Sequence, residues 1–411
     1  MKHSIKLLKR LFGALIVLTI NGISPLMAQN PTDSISVDSH SIVTEIDPMD
    51  SVEVSLLTCS PHEEIYSLYG HTAIRWHHLN KQGLSAGEDW VFNWGMFNSN
   101  KPYFVIRFVF GLTDYELGAY PYSSFWPYYQ KWGSSITEQV LNLTNDEKRR
   151  IEKVLDTNLR PENKVYRYNY FYDNCSTRPR DIIEANIDGE VLWEEREDYE
   201  PSYREMVHEC VRNHPWAAFG NDMLLGIKAD FKTTREQQEF LPLNLLYDFA
   251  RAQIYSNGEY RPLVKEQRMA VSPGVQIIER DFIFSPIECA IMLLLLSFGI
   301  FFLEWRRKKT FKYWDVLLMT TQGLVGCLLF VMIFSQHPTT SLNLQILLLN
   351  PLPLFFIPAV IKRKARRWWT LEVVMIALFY VGAIWQHYAA GMEIVALCLL
   401  IRYWSNYRHA K

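Results

Sequence analysis

The chain has no excess of charge of either sign: 42 Lys and Arg stand against 44 Asp and Glu, a formal net charge of −2. That balance argues against nucleic acid as a partner. Cysteine is scarce as well, with 6 in 411 residues. Before Phe284 there are only Cys59, Cys175 and Cys210, and three thiols cannot all pair, so at least one is free. A Cys59–Cys210 bridge remains open on the count alone. Standard metal-ligand spacing is missing too: His62, His71, His77 and His78 with Cys59 match no zinc pattern, so neither a metal nor any other cofactor is expected.

What is present divides sharply. The mean hydropathy of −0.07 averages a mixed, polar stretch up to about Phe284 with a remainder dominated by apolar runs. A length of 411 residues leaves room for about two domains, here an exported domain joined to a membrane module. The N-terminus reads as an export signal, residues 1–28. Lys2, Lys6, Lys9 and Arg10 precede the apolar core Leu11 to Ile20, and Ala28 offers a cut before Gln29. An uncleaved anchor is the alternative. No cysteine follows the core, so the chain does not read as a lipoprotein itself. Asn30 to Met49, rich in Ser, Asp and Thr, reads as a flexible lead-in.

Five spans are expected in residues 286–411: Pro286–Leu303, Val316–Phe334, Leu344–Ile361, Leu371–Trp385 and a shorter Met392–Tyr403. Basic residues follow the first, third and fifth (Arg306 to Lys312, Lys362 to Arg367, Arg402 to Lys411). The loops Ser335–Asn343 and Gln386–Gly391 carry no Lys or Arg. Positive loops stay in the cytoplasm. The alternation therefore puts residues 29–285 outside a bacterial inner membrane, on its periplasmic side. His337, Asn343 and His387 fall on that same side, and His337 and Asn343 are candidates for a lipid-headgroup or docking contact.

In the exported domain, Val52–Leu57, Thr72–Trp76 and Trp90–Gly95 alternate as strands. The last two make a hairpin with His71 at its start. Val91, Asn93 and Gly95 share one face, which makes Asn93 the candidate to orient the His71 ring; Asp89 and Glu88 are alternatives. Tyr103–Trp132 is dense in aromatics and suits either an ordinary core or a membrane boundary that receives acyl chains. Asn145–Leu159 reads as a helix capped by Thr144 or Asn145. Val165–Tyr172 reads as a strand running into Asp173-Asn174-Cys175, with a helix over Asp181–Asn186. A cysteine at such a junction, among Asn174, Ser176, Thr177 and Arg178, meets N–H groups that lower thiol pKa and can hold an oxyanion. A neighbouring imidazole would take its proton. Tyr172, Asn174 and Arg178 are the candidate substrate or oxyanion contacts around it.

Gly70-His71-Thr72-Ala73-Ile74-Arg75, Phe92-Asn93-Trp94-Gly95, the Phe108–Tyr120 segment and Tyr172-Asp173-Asn174-Cys175-Ser176-Thr177-Arg178-Pro179-Arg180-Asp181 resemble the Lnb-type periplasmic domain over roughly residues 50–280. Tyr69 stands where many relatives carry Trp, which touches packing rather than chemistry. The family includes bacterial lipoprotein N-acyltransferases and intramolecular transacylases. More distantly, the His-first, Asn-Cys-later order is similar to permuted NlpC-type thiol enzymes such as lecithin:retinol acyltransferase. The resemblance implies an α+β, permuted papain-like (NlpC-type) exported domain ahead of an α-helical membrane module. It implies Cys175 as nucleophile and His71 as base, with diacylglyceryl lipoproteins and membrane phospholipid as partners. The rival expectation is a cell-wall cysteine peptidase or amidase of the NlpC type, which needs the same dyad but gives no reason for the membrane spans.

Overall fold

A computed structural model of the chain describes residues 47–411 except 81, 98–101, 104, 105, 108, 109, 278–281, 365, 410 and 411. The expected export signal and most of the lead-in therefore lie outside the described residues.

The exported part is organised on a seven-stranded antiparallel sheet. Its strands are β1 (Val52–Cys59), β2 (His71–Leu79), β3 (Ser85–Met96), β4 (Asp114–Pro121), β5 (Ile136–Leu141), β6 (Val165–Arg167) and a late strand, Val264–Val271, which pairs with β5. The order across the sheet is Val264–Val271, β5, β1, β2, β3, β4, β6. A small three-stranded sheet of β7 (Glu190–Leu192), β8 (Gln253–Ser256) and β9 (Glu259–Pro262) stands apart, so Val264–Val271 is β10. β1 and β2 occupy the centre and are buried along nearly their whole length, which is why they read as apolar runs with small polar interruptions. Their register sets Cys59 against His71 and Leu57 against Ala73.

Helices cover the sheet. α1 (Tyr122–Lys131) carries Phe125 and Tyr129 into a core with Leu57, Ala73 and Ile136. α2 (Asn145–Leu159) starts on Thr144, whose hydroxyl accepts from the Glu147 N–H while Glu147 accepts from the Thr144 N–H. This reciprocal cap satisfies two donors at the helix start and is worth about 1 kcal/mol. α2 buries Ile151 and Leu155, spaced four apart, against the main core with Leu56, Ile74 and Trp94. α3 (Thr177–Glu184), α4 (Tyr203–Cys210), α5 (Pro215–Leu224), α6 (Arg235–Gln238) and α7 (Pro242–Arg251) follow.

Two expectations for this domain change. The alternation over Val165–Tyr172 yields only three residues of strand. Past Arg167 the chain turns, closed by an Asn169–Asp173 bridge, because Tyr170 and Phe171 pack with Tyr203 and Phe240 instead of pairing along β4. The helix expected from Asp181 begins at Thr177, since Pro179 lies within its first turn, where its lost N–H costs nothing. The Cys59–Cys210 bridge is not formed; both thiols are free.

The C-terminal module contains α8 (Pro286–Arg307), α9 (Lys312–Met332), α10 (Leu352–Ile361), α11 (Arg366–Gly382) and α12 (Met392–His409). Among the described residues three stretches, not the expected five, are long and apolar enough to cross a membrane: Pro286–Arg307, Lys312–Met332 and Leu344–Ile361. α11 spans 17 residues, opens on Arg366 and Arg367 and buries Glu372, and α12 carries Glu393, Arg402 and Arg408. Of these charges, Glu372 and Arg402 are buried and bond to Gln322 on α9 and to Glu304 on α8. The third stretch is itself broken into a 3-10 turn at Leu344–Leu347 and then α10.

The two parts are docked through backbone. Gly226 and Ile227 N–H donate to the Thr339 and Leu342 carbonyls, each at 2.8 Å. A Cβ on Gly226 would lie 2.3 Å from the Leu342 oxygen, so only glycine permits this approach.

Candidate active site

β2 opens on His71, directly after Gly70, whose φ of +77° turns the chain into the strand. β3 brings Asn93 beside it: the His71 Nε2–H donates to Asn93 Oδ1 at 2.6 Å. Asn93 is steadied in turn by donating its amide N–H to the Tyr120 hydroxyl from β4. This bond fixes the tautomer, leaving Nδ1 as the ring nitrogen able to accept a proton. Asp89 and Glu88, the alternative orienters, are engaged elsewhere. Asp89 grips Arg75 at 2.7 Å, and Glu88 lies 3.5 Å from His78.

Cys175 sits on the turn between the Asn169–Asp173 bridge and α3. Asn174 builds that turn. Its Oδ1 accepts from the Ser176 and Thr177 N–H groups at 2.7 and 3.0 Å, and its Nδ2 donates to the Tyr170 and Phe240 carbonyls. The amide is thus spent on scaffold bonds and is buried, so Asn174 lacks the free group a substrate contact needs. The same bonds occupy the two N–H groups at the start of α3 that were expected to face an oxyanion. A further bond ties the two segments together at the residues that follow His71 and Cys175: Thr72 Oγ1 and Ser176 Oγ are 3.0 Å apart and buried. Gly95, at φ +102°, runs past Cys175, and a Cβ there would touch Cys175 Cβ at 3.8 Å. Its unusual φ coincides with a register shift between Asn93 and Met96 against β4, a bulge that bends β3 around the thiol.

Electrostatics divide the exported thiols. Burial works against ionising Cys175, but the adjacent His71 more than offsets it, helped by the Thr72 backbone N–H and the Ser176 hydroxyl. The thiol therefore lies below its usual range. Burial also disfavours a charged His71, yet the Cys175 sulfur and the Asn93 oxygen raise its pKa on balance. The two shifts, one down and one up, both favour transfer of the thiol proton to the imidazole. Cys59 and Cys210 go the other way: burial pushes Cys59 far up and Cys210 to about 12. Cys175 is the one activated thiol of the three.

The remaining sequence candidates are placed as follows. Tyr172 is exposed, edge-on to Phe171 and Tyr203. Arg178 is bidentate to Asp173 at 2.5 and 2.8 Å and lies 3.6 Å over the Tyr166 ring, so its charge is already matched. Asn343 is buried and used in docking, donating to the Met223 carbonyl at 2.9 Å and accepting from Gln345 and Gln386. Of the two roles open to it, headgroup contact or docking, its bonds serve docking. His337 lies half-buried on the connection after α9, where the neighbouring Gln336 N–H donates to the Phe110 carbonyl. The histidines near Cys59 do not converge either: His62 stacks on Trp132 at 5.0 Å, and His78 accepts from Trp76 Nε1. Sequence reasoning missed Tyr120 as the anchor of Asn93. The signal was there, an aromatic on the strand next to β3, but it was one of many.

Residues 39–208 match the Lnb N-terminal periplasmic domain, and residues 277–411 match the Lnb transmembrane domain. The chain belongs to the Lnb family. Searches of curated proteins and of solved structures give no match. As an Lnb protein it is a membrane protein with an N-terminal periplasmic region, and its family places it in lipoprotein processing. The His71–Asn93–Cys175 cluster falls within the periplasmic Lnb match.

Proposed function

We propose that this Lnb protein is a lipoprotein N-acyltransferase working through a Cys175 thioester. The observation that carries the reading is the His71–Cys175 pair, with the imidazole oriented by Asn93, in the periplasmic part of a membrane-anchored chain. His71 Nδ1 takes the Sγ proton, and the thiolate adds to the ester carbonyl of a glycerolipid. The carbon–oxygen bond breaks, the imidazolium returns its proton to the departing alkoxide, and a thioester remains. The free α-amine of a diacylglyceryl lipoprotein cysteine then adds to the thioester. His71 takes the amine proton, the carbon–sulfur bond breaks, and the product is N-acylated. With the Ser176 and Thr177 N–H groups held by Asn174, the Cys175 N–H is the backbone donor left for the oxyanion.

Anchoring in the inner membrane holds the thiol at the outer leaflet with both lipid substrates, so encounter becomes a local search. The His-first order and the cysteine at a helix start support a permuted papain-like reading of the exported domain.

The test is to incubate the full chain and Cys175→Ala, in detergent, with a diacylated lipoprotein and phospholipid, and to read the lipoprotein N-terminus by mass spectrometry. An acyl group on the α-amine with the wild type only supports transfer. An unmodified α-amine, while Cys175 still takes up a thiol reagent, would point to hydrolysis of the cell-wall peptidase or amidase kind.

A further inference from the structure

Away from the thiol, at the seam between the two parts of the chain, charge does not balance. Arg204 on α4 is buried and bonded to two carboxylates: Asp222 Oδ1 at 2.7 Å and Asp230 at 2.8 and 3.0 Å. One guanidinium against two carboxylates leaves a surplus negative charge in a place where an uncompensated ion is costly. Two histidines converge there. His208 Nε2 lies 2.8 and 2.9 Å from the two Asp222 oxygens. His387, from the loop between α11 and α12, sets its ring 5.5 Å from that of His208 at 74°. The ligand atoms of His208, Asp222 and His387 all lie within 4.8 Å of one another.

We propose that His208, Asp222 and His387 bind a zinc ion that clamps the periplasmic domain to the membrane module. Two imidazoles and one carboxylate form a donor set suited to zinc, and a hard, small cation such as magnesium would prefer oxygen ligands. Tetrahedral zinc with bonds of about 2.0–2.2 Å separates its ligand atoms by roughly 3.3 Å. Rotation of the exposed His387 ring supplies the closing movement, because its backbone is already held by an N–H bond to Asp230. The fourth position, on the exposed side of His387, takes water. The ion supplies the missing positive charge, and Arg204, itself gripped by Asp230, holds Asp222 from behind, as metal-bound carboxylates are usually held.

The clamp has a route to the thiol site. Asn221, next to Asp222 on α5, donates to the Tyr69 hydroxyl at 2.8 Å, and Tyr69 lies two residues before His71. Seating α5 on the membrane module thus also seats the start of β2.

The experiment uses the full chain in detergent, without a histidine tag, stripped with a chelator and titrated with zinc chloride. Metal content is read by mass spectrometry, and a cobalt titration follows the absorption of a tetrahedral site. Expected are about one zinc per chain, as for a single site of three protein ligands and one open position, a zinc-dependent rise in melting temperature, and no comparable response to magnesium. His387→Ala, an exposed position, should still fold and should bind zinc at least about tenfold more weakly. His208→Gln should do the same. Absence of saturable zinc binding by the wild type would overturn the proposal, as would binding and melting unchanged in His387→Ala.

Discussion

Two buried ionic assemblies, one in each part of the chain, are built on opposite terms. In the periplasmic domain, burial opposes charge on both His71 and Cys175, and each favours the charged form of the other. In the membrane module, Arg402 donates to Glu304 at 2.9 and 2.9 Å and to Asp315 at 3.0 and 2.8 Å, and Ser405 adds a bond to Glu304. A guanidinium cannot shed its charge. The first pair discharges by moving one proton a bond's length, so it can run a reaction cycle. The second has no neutral state to visit, so it can only hold α8, α9 and α12 together. Proximity of opposite charges is common to both; the proton affinity of the cation separates chemistry from architecture.

The sharpest way to break this contrast is at His71. His71→Ala should cut acyl transfer by about 10²–10⁴-fold and leave the melting temperature nearly unchanged. It should also move the pH profile of Cys175 alkylation upward. In the wild type the thiolate is present above a depressed thiol pKa and is lost as pH falls through it, so iodoacetamide labelling should persist well below the usual thiol range. Labelling that follows an ordinary thiol in both proteins would end the ion-pair description.

In the membrane module the expectation inverts. Arg402→Ala leaves Glu304 and Asp315 buried without a partner and should destabilise the chain by about 3–5 kcal/mol, read as thermal unfolding in detergent. Replacing all three charges with apolar residues of similar volume should recover most of that loss. A triple variant as unstable as the single one would show that the assembly does more than cancel its own desolvation.

Asn93→Ala is intermediate. It removes the bond that orients the ring, with a loss of up to about 10²-fold in transfer and a downward shift of the His71 titration, because Asn93 is one of the groups raising it. At the small end, Lys164→Ala breaks an ion pair with Glu116 in which both side chains are well exposed. Its cost should stay under about 1 kcal/mol in the same unfolding assay.

The local elements at the site were largely legible. Alternation marked β1, β2 and β3, Thr144 or Asn145 as cap marked the start of α2, and the polar neighbours of Cys175 separated it from a packing thiol. Placing Asn93 on the face of β3 that carries Gly95 required only the two-residue period of a strand. The misreadings share a cause. Tyrosines alternate over Val165–Tyr172 as in a strand, yet the chain leaves the sheet at Arg167 because Tyr170 and Phe171 find a separate aromatic cluster. Apolar content suggested five spans, whereas among the described residues three stretches are long and apolar enough, and Glu372 and Arg402 within α11 and α12 are turned to partners on other helices.

By itself the sequence determined which groups can react and where the chain changes solvent, because side-chain chemistry and runs of apolar residues are properties of short segments. Only the tertiary structure decided what those groups meet. It spent Asn174 and Asn343 on scaffold and docking bonds, set Asn93 Oδ1 2.6 Å from His71 Nε2, and carried His387 some 180 residues along the chain to His208. Burial and partner distance fix pKa and bond satisfaction, and both are set by residues far apart in the chain.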